Sequence, residues 1–169
     1  MPLGGMRMRF TTNHDETAWD RPPVTLFGGA AGARAAYVAM TLLPGRPLLY
    51  NGQEVESPQP LGLFVRDPIA WGQADTAASR AFYGRVLRIA ETDSAFLSGA
   101  LEPIETNASH DVIAYARSRV LVVVNVRGHA VRARVKGFDV KGARDLLTDR
   151  TQDGDTLSLP AYGALVLER

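Results

Sequence analysis

Cysteine is absent from the 169 residues, which excludes a disulfide framework and a thiolate metal site while leaving the redox compartment open. An excess of one charge is absent too. Nineteen basic against 18 acidic residues leave a net charge of +1, so there is no electrostatic case for nucleic acid or an anionic membrane as partner. Long hydrophobic runs are also missing: the most apolar stretch, Ala35 to Leu43, is well short of the roughly 20 residues that span a bilayer. Met1 to Phe10 lacks the apolar centre of a secretory signal. No internal repeat or low-complexity tract is visible. What is present, 46% hydrophobic and 22% charged residues, is the balance of a globular protein of one domain or two small ones.

The composition changes near Ser98 to Glu102. Before that point short apolar runs alternate with helical patterns; after it, runs of Val, Leu, Ile and Thr are cut by Gly and Asp turns, so the chain reads as α/β followed by all-β. The domains expected are 1–98 and 99–169. In the first, Met6 to Thr12 reads as a strand and Asn13 to Pro23 as the loop that leaves it. Gly28 to Leu43 reads as a largely buried helix ended by Pro44-Gly45, and Pro47 to Tyr50 as a second strand, the order of a βαβ unit with a parallel sheet. A further helix is expected from about Thr76 to Ala90, with Asp75 or Thr76 as its cap and Phe82, Val86, Ile89 and Ala90 on one stripe. The second domain offers strands at Val112–Ala116, Val120–Val126, Val131–Val135, Ala143–Leu147, Thr156–Leu159 and Ala164–Leu167. Their spacing and turns suggest a small antiparallel β-sandwich.

Chemistry concentrates where the first strand ends, at Asn13-His14-Asp15-Glu16. The carboxyl ends of parallel strands are where catalytic groups converge, although an Asx-type turn with a surface histidine explains the triplet alone equally well. A metal site at His14-Asp15-Glu16 is a weak reading, since the three histidines of the chain show no i, i+4 pair. Gly28-Gly29-Ala30-Ala31-Gly32 lacks the glycine order and the Lys-Ser/Thr of a phosphate loop, and helix-start glycines in tight packing account for it better.

Three motifs carry a resemblance. Phe10-Thr11-Thr12-Asn13-His14-Asp15 is similar to the Phe-x-x-Asn-His-Asp motif of the α-amylase family of glycoside hydrolases (family 13). Gly45-Arg46-Pro47-Leu48-Leu49-Tyr50-Asn51-Gly52-Gln53-Glu54 resembles the last barrel strand of that family, and Arg66-Asp67-Pro68-Ile69-Ala70-Trp71 the stretch that follows it. Ser158 to Leu167 looks like the final strand of the family's C-terminal domain, so the likeness extends over essentially the whole chain. It implies the last two β/α units, seven and eight, of a (β/α)8 (TIM) barrel followed by a small β-sandwich. The implied activity is retaining cleavage or transfer of α-glucosidic bonds in starch-like glucans.

By the same resemblance Asp15 is the carboxylate that binds sugar hydroxyls and stabilises the oxocarbenium-like transition state, and His14 hydrogen-bonds the same sugar. Asn13 is counted with the substrate-binding group but fits holding the loop better than touching substrate. Trp19 and Tyr50 offer faces for stacking on glucose and are equally compatible with packing. Glu16 reads as a loop or outer-subsite residue, Glu54 as a structural or subsite residue, and Trp71 as packing between the barrel and the last helix. His110 and His129 are expected at the surface.

Retaining glycosidases need a nucleophile and a general acid about 5 to 5.5 Å apart, and nothing in the chain matches the family's motifs for them. A missing N-terminal barrel segment is therefore expected, and the chain alone is expected to be inactive. An α-glucan or maltooligosaccharide is the expected substrate. No cofactor is implied, and calcium, possible in a parent enzyme, is not indicated by these residues. The competing reading is a non-catalytic carbohydrate-binding or structural module.

Overall fold

The computed structural model describes residues 5–71 and 76–169. Strand β1 (Met8–Arg9) lies parallel to β2 (Arg46–Pro47), with Met8 opposite Arg46 and Arg9 opposite Pro47. Helix α3 (Ala30–Thr41) connects them, so the expected βαβ order holds. Both strands are shorter than their apolar runs. Arg46 N donates to Arg7 O and Leu48 N to Arg9 O, both at 2.8 Å, and beyond these the extended backbone has no partner strand among the described residues.

The segment expected as a loop from Asn13 to Pro23 instead contains helix α1 (His14–Trp19), and α2 (Pro23–Leu26) follows. The cause is local. Asn13 is extended and its side chain caps α1, and the acidic Asp15 and Glu16 stand in the first turn, where the helix dipole favours them. Gly28 and Gly29 take positive φ values of 80° and 97° between α2 and α3, a backbone that glycine adopts without strain. A Cβ at Gly32 would collide with the carbonyl of Phe27. At the helix start Gly29 thus serves the turn and Gly32 the packing.

Helix α4 (Thr76–Thr92) buries Ser79, Tyr83, Val86, Ile89 and Ala90; its expected cap Asp75 lies outside the described residues. Tyr83 was not on the expected stripe, yet it is fully buried and meets Tyr37 of α3 edge-on, with ring centroids 4.8 Å apart. Burial pushes both phenols up, Tyr37 to about 12. A short helix, α5 (Ser94–Ser98), follows, capped by Asp93.

The rest is β. Strands β3 (Leu101–Pro103), β4 (Val112–Arg117), β5 (Val120–Asn125), β7 (Arg144–Asp145) and β9 (Ala164–Glu168) form a five-stranded antiparallel sheet in the order β3-β4-β5-β9-β7. β6 (Val131–Ala133) and β8 (Leu157–Leu159) form a second sheet of two strands. All six expected strands are present, most of them trimmed. β3 was not expected because it is an exposed edge with proline inside it, a position that leaves no burial pattern.

The larger sheet has two covered faces, and β5 shows how. Val120, Val122 and Val124 point into a core shared with Tyr37 and Val38 of α3, Leu42 just after it, Tyr83 and Val86 of α4 and Phe96 of α5. Leu121 and Val123 point the other way, against Val131 and Ala133 of β6 and Leu157 and Leu159 of β8. A strand buried on both faces needs no polar alternation. The core on one face of the sheet is thus built from both sides of residue 98. The boundary near residue 98 marks a change of secondary structure, but the core runs across it.

Arg117 fastens that junction. Though only 2% exposed, it donates from Nε to Gly99 O at 2.8 Å, from Nη1 to Leu42 O at 3.2 Å and from Nη2 to Phe96 O at 2.9 Å. These carbonyls lie at the C-terminal ends of α3 and α5, where helices leave acceptors unpaired and favour positive charge. Tyr115 OH adds a bond to Ala39 O at 2.9 Å.

Candidate functional site

Because β1 and β2 run parallel, their carboxyl ends emerge on the same side, and the two motif-bearing loops emerge with them. The first carries His14, Asp15, Glu16 and Trp19; the second carries Tyr50 and Glu54. Gln53 ties them together by donating from Nε2 to Thr11 Oγ1 at 2.6 Å. Beneath the loops is a cavity of about 20 Å³ lined by Thr12, Thr17, Tyr50, Gln53, Gln59 and Leu61, among others. The loop stems therefore pack as one body.

Asn13 sets the direction of the catalytic candidates. Its Oδ1 accepts from the amides of Asp15 and Glu16, both at 2.9 Å, and so holds the turn. The turn it fixes leaves His14 and Asp15 outward, their side chains 68% and 55% exposed, with Nε2 and Oδ1 3.4 Å apart. A histidine and a carboxylate presented side by side can address adjacent hydroxyls of one sugar ring. Glu16 is also exposed, on the same first turn.

The remaining site candidates divide. Trp19 is 77% exposed, so its face is open for stacking, whereas Tyr50 is half-buried in the wall of the small cavity. Glu54 is structural in this arrangement: its Oε2 accepts from Gly52 N at 2.9 Å and closes the turn that follows Tyr50. Trp71, expected to pack between the barrel and the last helix, is 43% exposed and meets α4 at Arg80, whose guanidinium lies 6.0 Å from the ring centroid. That is a cation–π contact at the surface. His110 and His129 are exposed, as expected. Among the described residues, no three His, Asp or Glu side chains gather as a metal-binding group, and no helix is long and apolar enough to cross a membrane.

Sequence reasoning missed the residues that hold this end together. Arg34 of α3 makes a two-toothed contact with Glu56, Nε to Oε1 at 2.6 Å and Nη2 to Oε2 at 3.2 Å, and Nη2 also donates to Ser79 Oγ of α4 at 2.9 Å. One side chain thereby joins α3, the loop after β2 and α4. The available signal was a lone arginine in an otherwise apolar helix.

No family model matches the chain, and no curated protein sequence does. Solved structures match it over nearly all of its length. An α-amylase from Lactobacillus plantarum superposes with a TM-score of 0.70 at 18% identity, covering 100% of this chain and 39% of that one. For the trehalose-6-phosphate hydrolase of Bacillus licheniformis the TM-score is 0.71 at 16% identity, with 98% and 44% covered. For a Thermus thermophilus protein, Ttha1563, it is 0.67 at 26% identity, with 94% and 35% covered. The chain thus has the fold of one part of such enzymes, spanning well under half the length of each of these three.

Proposed function

We propose that this chain is the C-terminal portion of an α-amylase-type glycoside hydrolase that acts with retention on α-glucosidic bonds of starch-like glucans. It would supply barrel strands seven and eight as β1 and β2, and the C-terminal β-sandwich. The observation that carries the reading is the parallel β1–β2 pair, which sets His14 and Asp15 at the carboxyl end of a strand on a turn fixed by Asn13. Asp15 provides negative charge near the anomeric centre as an oxocarbenium-like ion develops, and His14 hydrogen-bonds the same ring. The nucleophile and the general acid come from polypeptide outside these 169 residues.

Two surfaces support that last point. A strand pair this short leaves hydrogen-bonding edges that further parallel strands would pair. Beside it, a groove of about 830 Å³ lined by Phe10, Phe27, Met40, Leu43, Ile113 and Tyr162 offers an apolar bed for another helix. A sugar-binding module working through the face of its sheet fits less well, because both faces of the large sheet are covered.

Titrating the isotopically labelled chain with maltohexaose tests the assignment. Amide shifts within residues 12–19 and 50–54, weakened by Asp15→Asn, are expected, with no release of reducing sugar from soluble starch by the chain alone. Shifts confined to residues 101–169 and indifferent to Asp15→Asn would overturn it in favour of a binding module.

A further inference from the structure

The turn that follows Tyr50 begins with Asn51-Gly52, and the fold demands the glycine. Gly52 sits at a φ of 91°, which an L side chain rarely adopts, and a Cβ there would lie 3.2 Å from Ile69 Cδ1. A glycine after asparagine is a chemical liability, because its amide nitrogen is the least hindered one a chain can offer to the side-chain carbonyl of the asparagine. The other three asparagines precede His14, Ala108 and Val126, and their side chains are tied. Asn13 Oδ1 accepts from Asp15 N and Glu16 N, Asn107 Oδ1 accepts from Arg134 N at 2.7 Å, and Asn125 Nδ2 donates to His129 O and Pro160 O.

Glu54 restrains the reaction at Asn51. Its Oε2 accepts from Gly52 N at 2.9 Å, so the proton that must leave before the nitrogen attacks is held in a charge-assisted hydrogen bond. A negative charge beside the amide also opposes its loss of a proton. Gln53 N donates to Tyr50 O at 3.0 Å and Ser57 N to Gly52 O at 3.2 Å, fixing the turn on both sides. We infer that Asn51 is a site of spontaneous deamidation guarded by Glu54, and that its conversion uncouples the two loops of the candidate site. Gly52 N gives its proton to a base and bonds to Asn51 Cγ, and the Cγ–Nδ2 bond breaks, the nitrogen taking up a proton from water and leaving as ammonia. Water then opens the five-membered imide at either carbonyl, which leaves aspartate or β-linked isoaspartate at position 51. The second product adds a methylene to the main chain two residues before Gln53, whose 2.6 Å bond to Thr11 Oγ1 joins the loops, and the longer turn breaks that bond. Neither step depends on what the site binds.

The test incubates the full chain, Glu54→Gln and Glu54→Ala at mildly alkaline pH in heavy-oxygen water, both folded and in strong urea. Peptide mass spectrometry locates the converted asparagines, and isoaspartate is counted with its methyltransferase. Expected in the folded parent is conversion at Asn51 ahead of the other three asparagines. Folded Glu54→Ala should convert about tenfold faster, the rate equivalent of one lost charge-assisted hydrogen bond, with Glu54→Gln in between. In urea all three chains should convert alike, because the guard exists only in the folded turn. Equal rates in the folded parent and folded Glu54→Gln, or a parent as fast folded as unfolded, overturn the guard, and both comparisons stand even where Glu54→Ala does not fold. Conversion of another asparagine first overturns the site. Amide shifts of residues 11–19 that stay unchanged in the isoaspartate fraction overturn the uncoupling.

Discussion

The parallel pair β1–β2 and the antiparallel sheet around β5 are opposites. The first is held by a register of two residue pairs and carries its polar groups outward; the second pairs β4 and β5 over six positions and buries every residue of β5. The candidate site and the main core thus lie in different regions, and the helices between them serve both. α3 follows the candidate site in sequence and roofs the sheet. A site whose own strands are so short depends for its geometry on a core built mostly elsewhere.

Breaking the stable side should cost most. Leu121→Ala leaves a cavity between the two sheets and is expected to lose about 2–5 kcal/mol, read as a lowered urea midpoint. Arg117→Leu strips donors from the carbonyls of Leu42, Phe96 and Gly99 and should cost about 3 kcal/mol. If the shared core is real, helix and sheet signals will unfold together in both variants. Separate transitions for residues 5–98 and 101–169 would mean two cores.

The contrast sharpens under native hydrogen exchange, where the amides of Val122 to Val124 should exchange through global unfolding and those of Thr17 to Trp19 much faster. A smaller effect comes from the cap. Asn13→Ala should cost about 1 kcal/mol and Asn13→Gly only a few tenths, with the loss confined to the chemical shifts of α1.

The smallest effect depends on pH. The hydrogen bond from Arg144, joined by that from Arg119, holds the Glu168 carboxyl below its ordinary 4.5 despite partial burial. Because the folded-state value is the lower one, this stabilisation is complete above the unfolded value and disappears as pH falls through the folded one. Glu168→Gln should therefore cost at most about 1 kcal/mol of stability near neutral pH, read as a lowered urea midpoint, and the two proteins should converge on acidification.

Much of this was legible because it follows from short-range rules. Val120 to Val126 reads as a strand and Pro44-Gly45 as the end of α3, whereas the helix start at Asn13, with two acids in the first turn, reads as a loop because the motif draws attention to chemistry rather than to capping. What could not be read depends on distant partners. Tyr83 looks like any tyrosine on an amphipathic helix until Tyr37 arrives against it. Arg117 reads as half of a hairpin turn, and its role emerges only when two helix ends meet it. The turn at residues 59–67 hides its order in a single aspartate five and eight residues from its hydrogen-bond donors.

β5 carries a last implication, about information rather than energy. Its run Val120-Leu121-Val122-Val123-Val124 contains no polar letter, so a slip of one position would exchange the two cores while burying nearly the same apolar surface. The address of the strand is written at its ends. Ser118, at a φ of 53°, sets the hairpin with β4. Asn125 stops the strand, donating to His129 O and Pro160 O at 2.7 Å each and accepting from Arg127 N. A drift in the middle of the strand is thus tolerable in composition, whereas a change at Ser118 or Asn125 would erase the mark that tells the two faces apart.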